Sequence, residues 1–399
     1  MKRLSLIVFL LLVLWPAAAR VCPHRRVPRY DFARFERNAL QFPGSPADFD
    51  LFLHKLDTLV VTGRGNVRIL QVGGSHVQGG TWSDQLRRNL LAMRYGMDGG
   101  RGLVFPFAAA GTNTPSSYQS SCSGSWTYSR CLKPESRLGL TGMAVSTSDT
   151  AATVFIDLAE RERRAWSQTY MFRSVDVLGY GSLEPVLVMG RDTVAGVRRG
   201  ARWHYDLPHY ADYVRVGFRG FPGQYTLTGL YLDRPSSGLT FSEVGVNGAA
   251  TGSFLKCEDF RRDLALVAPD LVIFSIGIND IQGTDFDARH FVDNYARLVR
   301  EVRSVNPHCA ILFTTLSDSY RHHVPNRFGA EATRALYELA SRYDAALWDL
   351  FDIMGGLGSI DAWHEAGLAA GDHVHFTPEG YRLLGDLLFN AIMARYETL

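Results

Sequence analysis

Hydrophobic positions along the chain follow two alternating periods. After a break at Thr62-Gly63-Arg64-Gly65, the short run Val67-Arg68-Ile69-Leu70-Gln71-Val72 reads as a buried strand ending in Gly73-Gly74-Ser75. It passes through Thr81-Trp82-Ser83-Asp84 into an amphipathic stretch carrying Leu86, Leu90, Leu91 and Met93, so the predicted order is strand, tight turn, helix. Before the break, residues 32–61 mix acidic, aromatic and apolar positions at helical spacing. The rhythm returns late in the chain. Helical periodicity spans 254–267, then come strand 271–276, helix 289–305, strand 310–316, helix 330–343, strand 346–350 and a last helix 378–396. Strands alternating with helices of about 10–15 residues predict a parallel sheet covered on both faces, the doubly wound α/β class.

Between about 114 and 240 the texture changes to frequent Gly and Ser, little helical period and short strand-like runs. These include Thr153-Val154-Phe155-Ile156, Val175-Asp176-Val177-Leu178, Pro185-Val186-Leu187-Val188 and Tyr213-Val214-Arg215-Val216. Evenly spaced short strands predict an antiparallel β-sandwich. Because the α/β rhythm starts before this segment and resumes after it, the sandwich is expected to interrupt the α/β domain. The expected organisation is a leader over 1–19, an α/β domain split into 20–113 and 241–399, and an inserted β-sandwich over 114–240.

Composition narrows the function. The 42 Lys and Arg against 40 Asp and Glu give a net charge of +2 over 399 residues, too balanced for the basic field that nucleic-acid binding uses. Arg161, Arg163 and Arg164 read as a solvated face. Lys2-Arg3, the apolar run Leu4 to Trp15 and Ala17-Ala18-Ala19 fit a secretory signal cleaved after Ala19, and the run falls short of a membrane span. The expectation is an exported protein, periplasmic or secreted, with no stable membrane insertion after cleavage. Cys22 is a poor lipidation site because Arg20 sits where a small residue is needed. Of the five cysteines, Cys122 and Cys131 either close a short loop or stay free thiols, and no Cys/His spacing suggests zinc.

Four places carry candidate chemistry. Ser75 follows two glycines at the carboxyl end of a buried strand, where open α/β sheets bind ligands. Asp372 and His375 lie three residues apart just before a helix start at Thr377-Pro378-Glu379. A serine nucleophile needs a base, and the base needs a carboxylate to fix its tautomer. Asn279, in Gly277-Ile278-Asn279-Asp280, ends a second strand at the same sheet edge and offers an amide donor for an oxyanion. Gly248, in Gly245-Val246-Asn247-Gly248, offers a backbone N–H. Each piece alone also reads as an ordinary turn or polar loop.

Taken in order, Gly-x-Ser, Gly, Gly-x-Asn-Asp and Asp-x-x-His resemble the four blocks of the SGNH/GDSL hydrolase family. The resemblance implies a flavodoxin-like three-layer fold of about five parallel strands. It makes Ser75 the nucleophile, His375 the general base, Asp372 its orienting carboxylate, and Ser75 N–H, Gly248 N–H and Asn279 the oxyanion donors. Many members carry Asp where Gly74 stands here. The Ser75-His76 pair and the β-rich insert resemble the branch of exported peptidoglycan and polysaccharide O-acetylesterases. The implied partner is an acylated glycan or other ester, with no cofactor and no metal. On the insert, Trp126, Trp203 and Tyr205 either grip sugar rings or pack in the core. A non-catalytic glycan-binding protein, or a lipase or thioesterase, are the alternative functions.

Overall fold

The computed structural model describes residues 24–159, 170–220 and 222–399. The expected leader, Cys22, and Arg161, Arg163 and Arg164 lie outside the described residues.

Six strands carry the α/β rhythm: β1 (Leu40–Gln41), β2 (Asn66–Gly73), β3 (Gly238–Gly245), β4 (Leu271–Ser275), β5 (Ala310–Thr314) and β6 (Ala346–Trp348). Their order in the sheet is β1-β6-β5-β4-β2-β3. All pairings are parallel except that of β1 with β6. The five parallel strands therefore have the flavodoxin-like order, with the topological switch point between β2 and β4. Every residue of β4 and β5 is buried, as befits strands covered on both faces.

The antiparallel edge strand corrects the expectation of one helical stretch over 32–61. The chain makes a single 3-10 turn at Phe35–Arg37, adds β1, and becomes helical only at Ala47–Thr62. Pro43-Gly44-Ser45-Pro46 breaks the run, since neither proline donates to a helix ladder. Gly44 also packs so closely on Asp344 that a β-carbon would sit 2.6 Å from its Oδ1. The expected helix 254–267 is likewise split, into a 3-10 turn Phe254–Lys256 and a helix Phe260–Val267, by extended backbone at Cys257.

The helices Thr81–Leu91 and Pro378–Tyr396 pack on one another, and Gly385 lets them approach: a β-carbon there would lie 2.6 Å from Gln85 Cβ. Asp386 accepts from Gln85 Nε2 and Asn89 Nδ2, both at 2.7 Å. Thr377 caps the last helix through Gly380 N, with Pro378 in its first turn. The helix Ala288–Val305 packs against both Phe260–Val267 and Phe328–Arg342.

Between the helix Thr81–Leu91 and β3, the chain builds two antiparallel sheets. One joins Gln119–Ser123, Thr153–Asp157, Glu184–Met189, Asp192–Val194 and Tyr213–Arg219. The other reaches from Gly102–Val104 through Thr127–Arg130, Met143–Thr147, Phe172–Gly181, Val197–Arg199 and Arg202–Ala211 to Tyr225–Asp233. Strand Thr153–Asp157 alternates half-buried and buried positions, the mark of a sheet with one face inward. The inserted β-domain and the α/β sheet share one continuous apolar core.

Tyr205 is fully buried, with its hydroxyl on the Pro185 carbonyl. Trp203 packs half-buried against the core, and Trp126 stands edge-on to Phe218 with Nε1 on Ser123 O. Cys122 and Cys131 are both free thiols; Cys122 is exposed, while Cys131 is buried beside Cys257. A buried ionic junction joins the two layers. Glu243 on β3 accepts from Arg87 Nη2 at 2.8 Å, Arg101 Nη2 at 2.7 Å and Ser117 Oγ at 3.0 Å. Arg87 also meets Asp84 at 2.8 Å.

Candidate functional site

Strand β2 runs straight into the nucleophile turn. Gly73 has no room for a side chain, because a β-carbon would fall 2.3 Å from Val77 Cγ2 and 2.7 Å from Ser275 O. Ser75 then opens a one-turn helix, Ser75–Gln78. At Gly74 a β-carbon would come within 3.3 Å of Asn279 Nδ2 and 3.4 Å of Ala249 O. The amide of Asn279 thus occupies the space beside Gly74.

Ser75 Oγ and His375 Nε2 are 2.8 Å apart, joining residues 300 positions apart in sequence. His375 Nδ1 meets Asp372 Oδ2 at 2.6 Å. Asp372 Oδ1 also accepts from Val374 N and His375 N, each at 2.9 Å. Partial burial of Asp372 works against ionisation, but these hydrogen bonds and the imidazole outweigh it and hold the carboxyl down at about 2. The chain of contacts runs hydroxyl, imidazole, carboxylate, with Nδ1–H donating to Asp372 and Nε2 accepting from Ser75. His373, between the two, faces away: its Nδ1 meets Asp361 at 2.9 Å and its ring stacks on Tyr320.

Neither Ser75 N–H nor Gly248 N–H has a hydrogen-bond partner among the described residues. Gly248 adopts φ +81°, the left-handed region that glycine tolerates, with Leu132 packed against it. Asn279 Nδ2 donates to Ala249 O at 3.0 Å, which fixes its amide plane and leaves its second N–H unspent. Asp280 has another task, accepting from Thr251 N at 2.9 Å and Thr251 Oγ1 at 2.6 Å. Ser75, His375, Asp372, Gly248 and Asn279 thus converge at the carboxyl edge of β2, β3 and β4.

Two neighbours were not legible as site residues. Gln78 is buried one turn after Ser75: its Oε1 accepts from Asn247 N at 2.7 Å and its Nε2 donates to Asn113 O and Oδ1, both at 3.0 Å. It ties the nucleophile turn to the residue before Gly248 and to a loop of the insert. Its spacing of three from Ser75 on a short helix was the only signal. His76 is buried with its ring 5.1 Å from that of His375 and Nδ1 on Tyr381 Oη at 2.9 Å. Burial, helped by the nearby His375, lowers its pKa to about 3, so it is neutral across the neutral pH range.

Residues 190–383 match the GDSL-like Lipase/Acylhydrolase family. That stretch holds Gly248, Asn279, Asp372 and His375; Ser75 lies ahead of it because the insert separates the first block from the rest. No match to this chain is found among curated proteins. A solved structure of a peptidoglycan O-acetylesterase aligns over 90% of this chain and 99% of its own, at 22% identity and a TM-score of 0.76. A lipase/acylhydrolase from Enterococcus faecalis aligns over 40% of this chain and 77% of its own, at 20% identity and a TM-score of 0.33. An acetyl xylan esterase aligns over 38% and 81%, at 21% identity and 0.32. The family match thus runs through the second half of the flavodoxin-like sheet that the β-domain interrupts, and over that stretch the chain is similar to the GDSL-like lipase/acylhydrolase family.

Proposed function

We propose that the protein is a serine esterase that removes O-acyl groups, preferentially O-acetyl, from peptidoglycan or another polysaccharide. The observation that carries the reading is the unbroken hydrogen-bond chain Ser75–His375–Asp372, set beside two unspent backbone amides and the Asn279 carboxamide. Ser75 Oγ attacks the ester carbonyl while His375 takes its proton. Asp372, ionised throughout the neutral range, steadies the imidazolium. The oxyanion is held by Ser75 N–H, Gly248 N–H and Asn279 Nδ2. His375 returns the proton to the sugar oxygen as the C–O bond breaks, then activates a water that releases the acid and regenerates Ser75.

The glycan half of the reading draws on the fold shared with the solved peptidoglycan O-acetylesterase. The test is intact-mass labelling with a fluorophosphonate, alongside aryl acetate hydrolysis, for the wild type, Ser75→Ala and His375→Ala. One adduct on the wild type, none on Ser75→Ala, and activity lost in both variants is the expected result. A wild type that takes no label and cleaves no acetate ends the catalytic reading.

A further inference from the structure

The turn that carries Gly248 continues into one wall of an open cleft of about 480 Å³. Ala249 O receives the Asn279 amide, and the next residue, Ala250, already lines the cleft. The opposite wall is the helix Ala288–Val305, which contributes His290, Asn294 and Arg297; Lys256 closes one side. A glycan seated with its ester at Ser75 and passing over Gly248 would meet this cleft next.

Its charges are unbalanced. Arg297 makes no ion pair among the described residues, and neither does His290 or Lys256. Lys256 Nζ spends one N–H on Leu132 O at 2.6 Å and keeps two. The one carboxylate in the lining, Asp280, is half-buried, faces His290 and has both oxygens engaged by Thr251. Burial also raises its pKa, which weakens its negative field further. Arg297 has no fixed structural task, unlike Arg87, Arg101 and Arg303, each of which is locked onto acceptors.

We propose that this cleft binds a carboxylate of the substrate, making the enzyme selective for esters on acidic saccharides, with Arg297 and Lys256 as the specificity-determining residues. The carboxylate has two possible origins, a uronic-acid ring or a lactyl or peptide group on an amino sugar, and both present the same planar anion to the guanidinium. The inference rests on the esterase reading for the position of the ester.

The experiment compares kcat/KM on three O-acetylated oligosaccharides: a neutral xylo-oligosaccharide, an oligouronide and a muramyl peptide. The enzymes are the wild type, Arg297→Gln, Lys256→Gln and, as a control for charge on the same helix outside the cleft, Arg300→Gln. The wild type is expected to favour a carboxylated substrate over the neutral one, and Arg297→Gln to cut that preference about tenfold through KM, as loss of a charged hydrogen bond does. Arg300→Gln keeps the preference, and added salt erodes it in the wild type. Which of the two acidic substrates gains identifies the origin of the carboxylate. Equal kcat/KM on all three, or a preference unchanged in Arg297→Gln, overturns the cleft. If the wild type cleaves none and takes no fluorophosphonate, the esterase reading has failed. The cleft is then judged by titrating Ser75→Ala with the deacetylated acidic oligosaccharides and following the arginine Nε–H signals: a shift lost in Arg297→Gln supports it, and no shift refutes it.

Discussion

Asn279 is held by Ala249 O with one N–H free, so its truncation removes a donor without disturbing Ser75 or His375. Asn279→Ala is expected to lower kcat on an aryl acetate by about 10²–10³-fold with little change in KM; an equal rise in KM would place the residue in ground-state binding. Asp372→Asn keeps a hydrogen-bond acceptor but loses the charge that fixes the imidazole, and a fall of up to ~10⁴-fold in kcat is expected. His76 predicts a pH effect on stability. Its native pKa of about 3 lies below the ordinary value near 6.5, so the unfolded chain binds the extra proton between these limits. Stability is therefore full above about pH 6.5 and declines as pH falls toward about 3, by a few kcal/mol in order of magnitude. Urea unfolding at pH 7 and pH 4.5 should give a smaller loss for His76→Phe than for the wild type, and equal losses would clear His76 of the effect. The five candidate residues were legible because each sits at a strand end marked by Gly or by a helix-start signal. Gln78 and the neutrality of His76 were not, since they depend on partners 35 to 305 residues away.

At the scale of elements, the junction around Glu243 joins β3 to the helix Thr81–Leu91 and to the insert. Removing Glu243 leaves Arg101 buried without its anion and Arg87 with Asp84 alone, and Glu243→Ala is expected to cost about 3–5 kcal/mol. Chemical denaturation reads this directly, and a loss under about 1 kcal/mol would mean that water reaches the arginines. The strands and helices of the second half were legible from period alone, because β4 and β5 are continuous apolar runs and Thr377-Pro378 announces the last helix. Strand β1 was not: two residues pairing with β6, some 300 positions away, leave no periodic trace. The same holds for Cys131, whose neighbour is Cys257 on another element and not Cys122 nearby in sequence.

Considered whole, the insert is not an independent bead. It shares the core of the α/β sheet, and Gln78 bonds at once to the nucleophile turn, to Asn113 and to Asn247. Glu243→Ala should accordingly lower the thermal midpoint of the near-ultraviolet signal and of aryl acetate hydrolysis together; separate transitions would make the insert a separate folding unit. The connection from β2 to β3 has a further effect, on time. In a flavodoxin-like sheet the first two parallel strands are normally joined by a single helical crossover, whereas here the whole β-domain must be synthesised between β2 and β3. His375 follows Ser75 by 300 residues, which at ~5–20 residues per second is a delay of roughly 15–60 s. β2 has no parallel neighbour until β3 has been made, and the serine has no base until His375 has been made. On the esterase reading, the chain is therefore inert until His375 has joined Ser75.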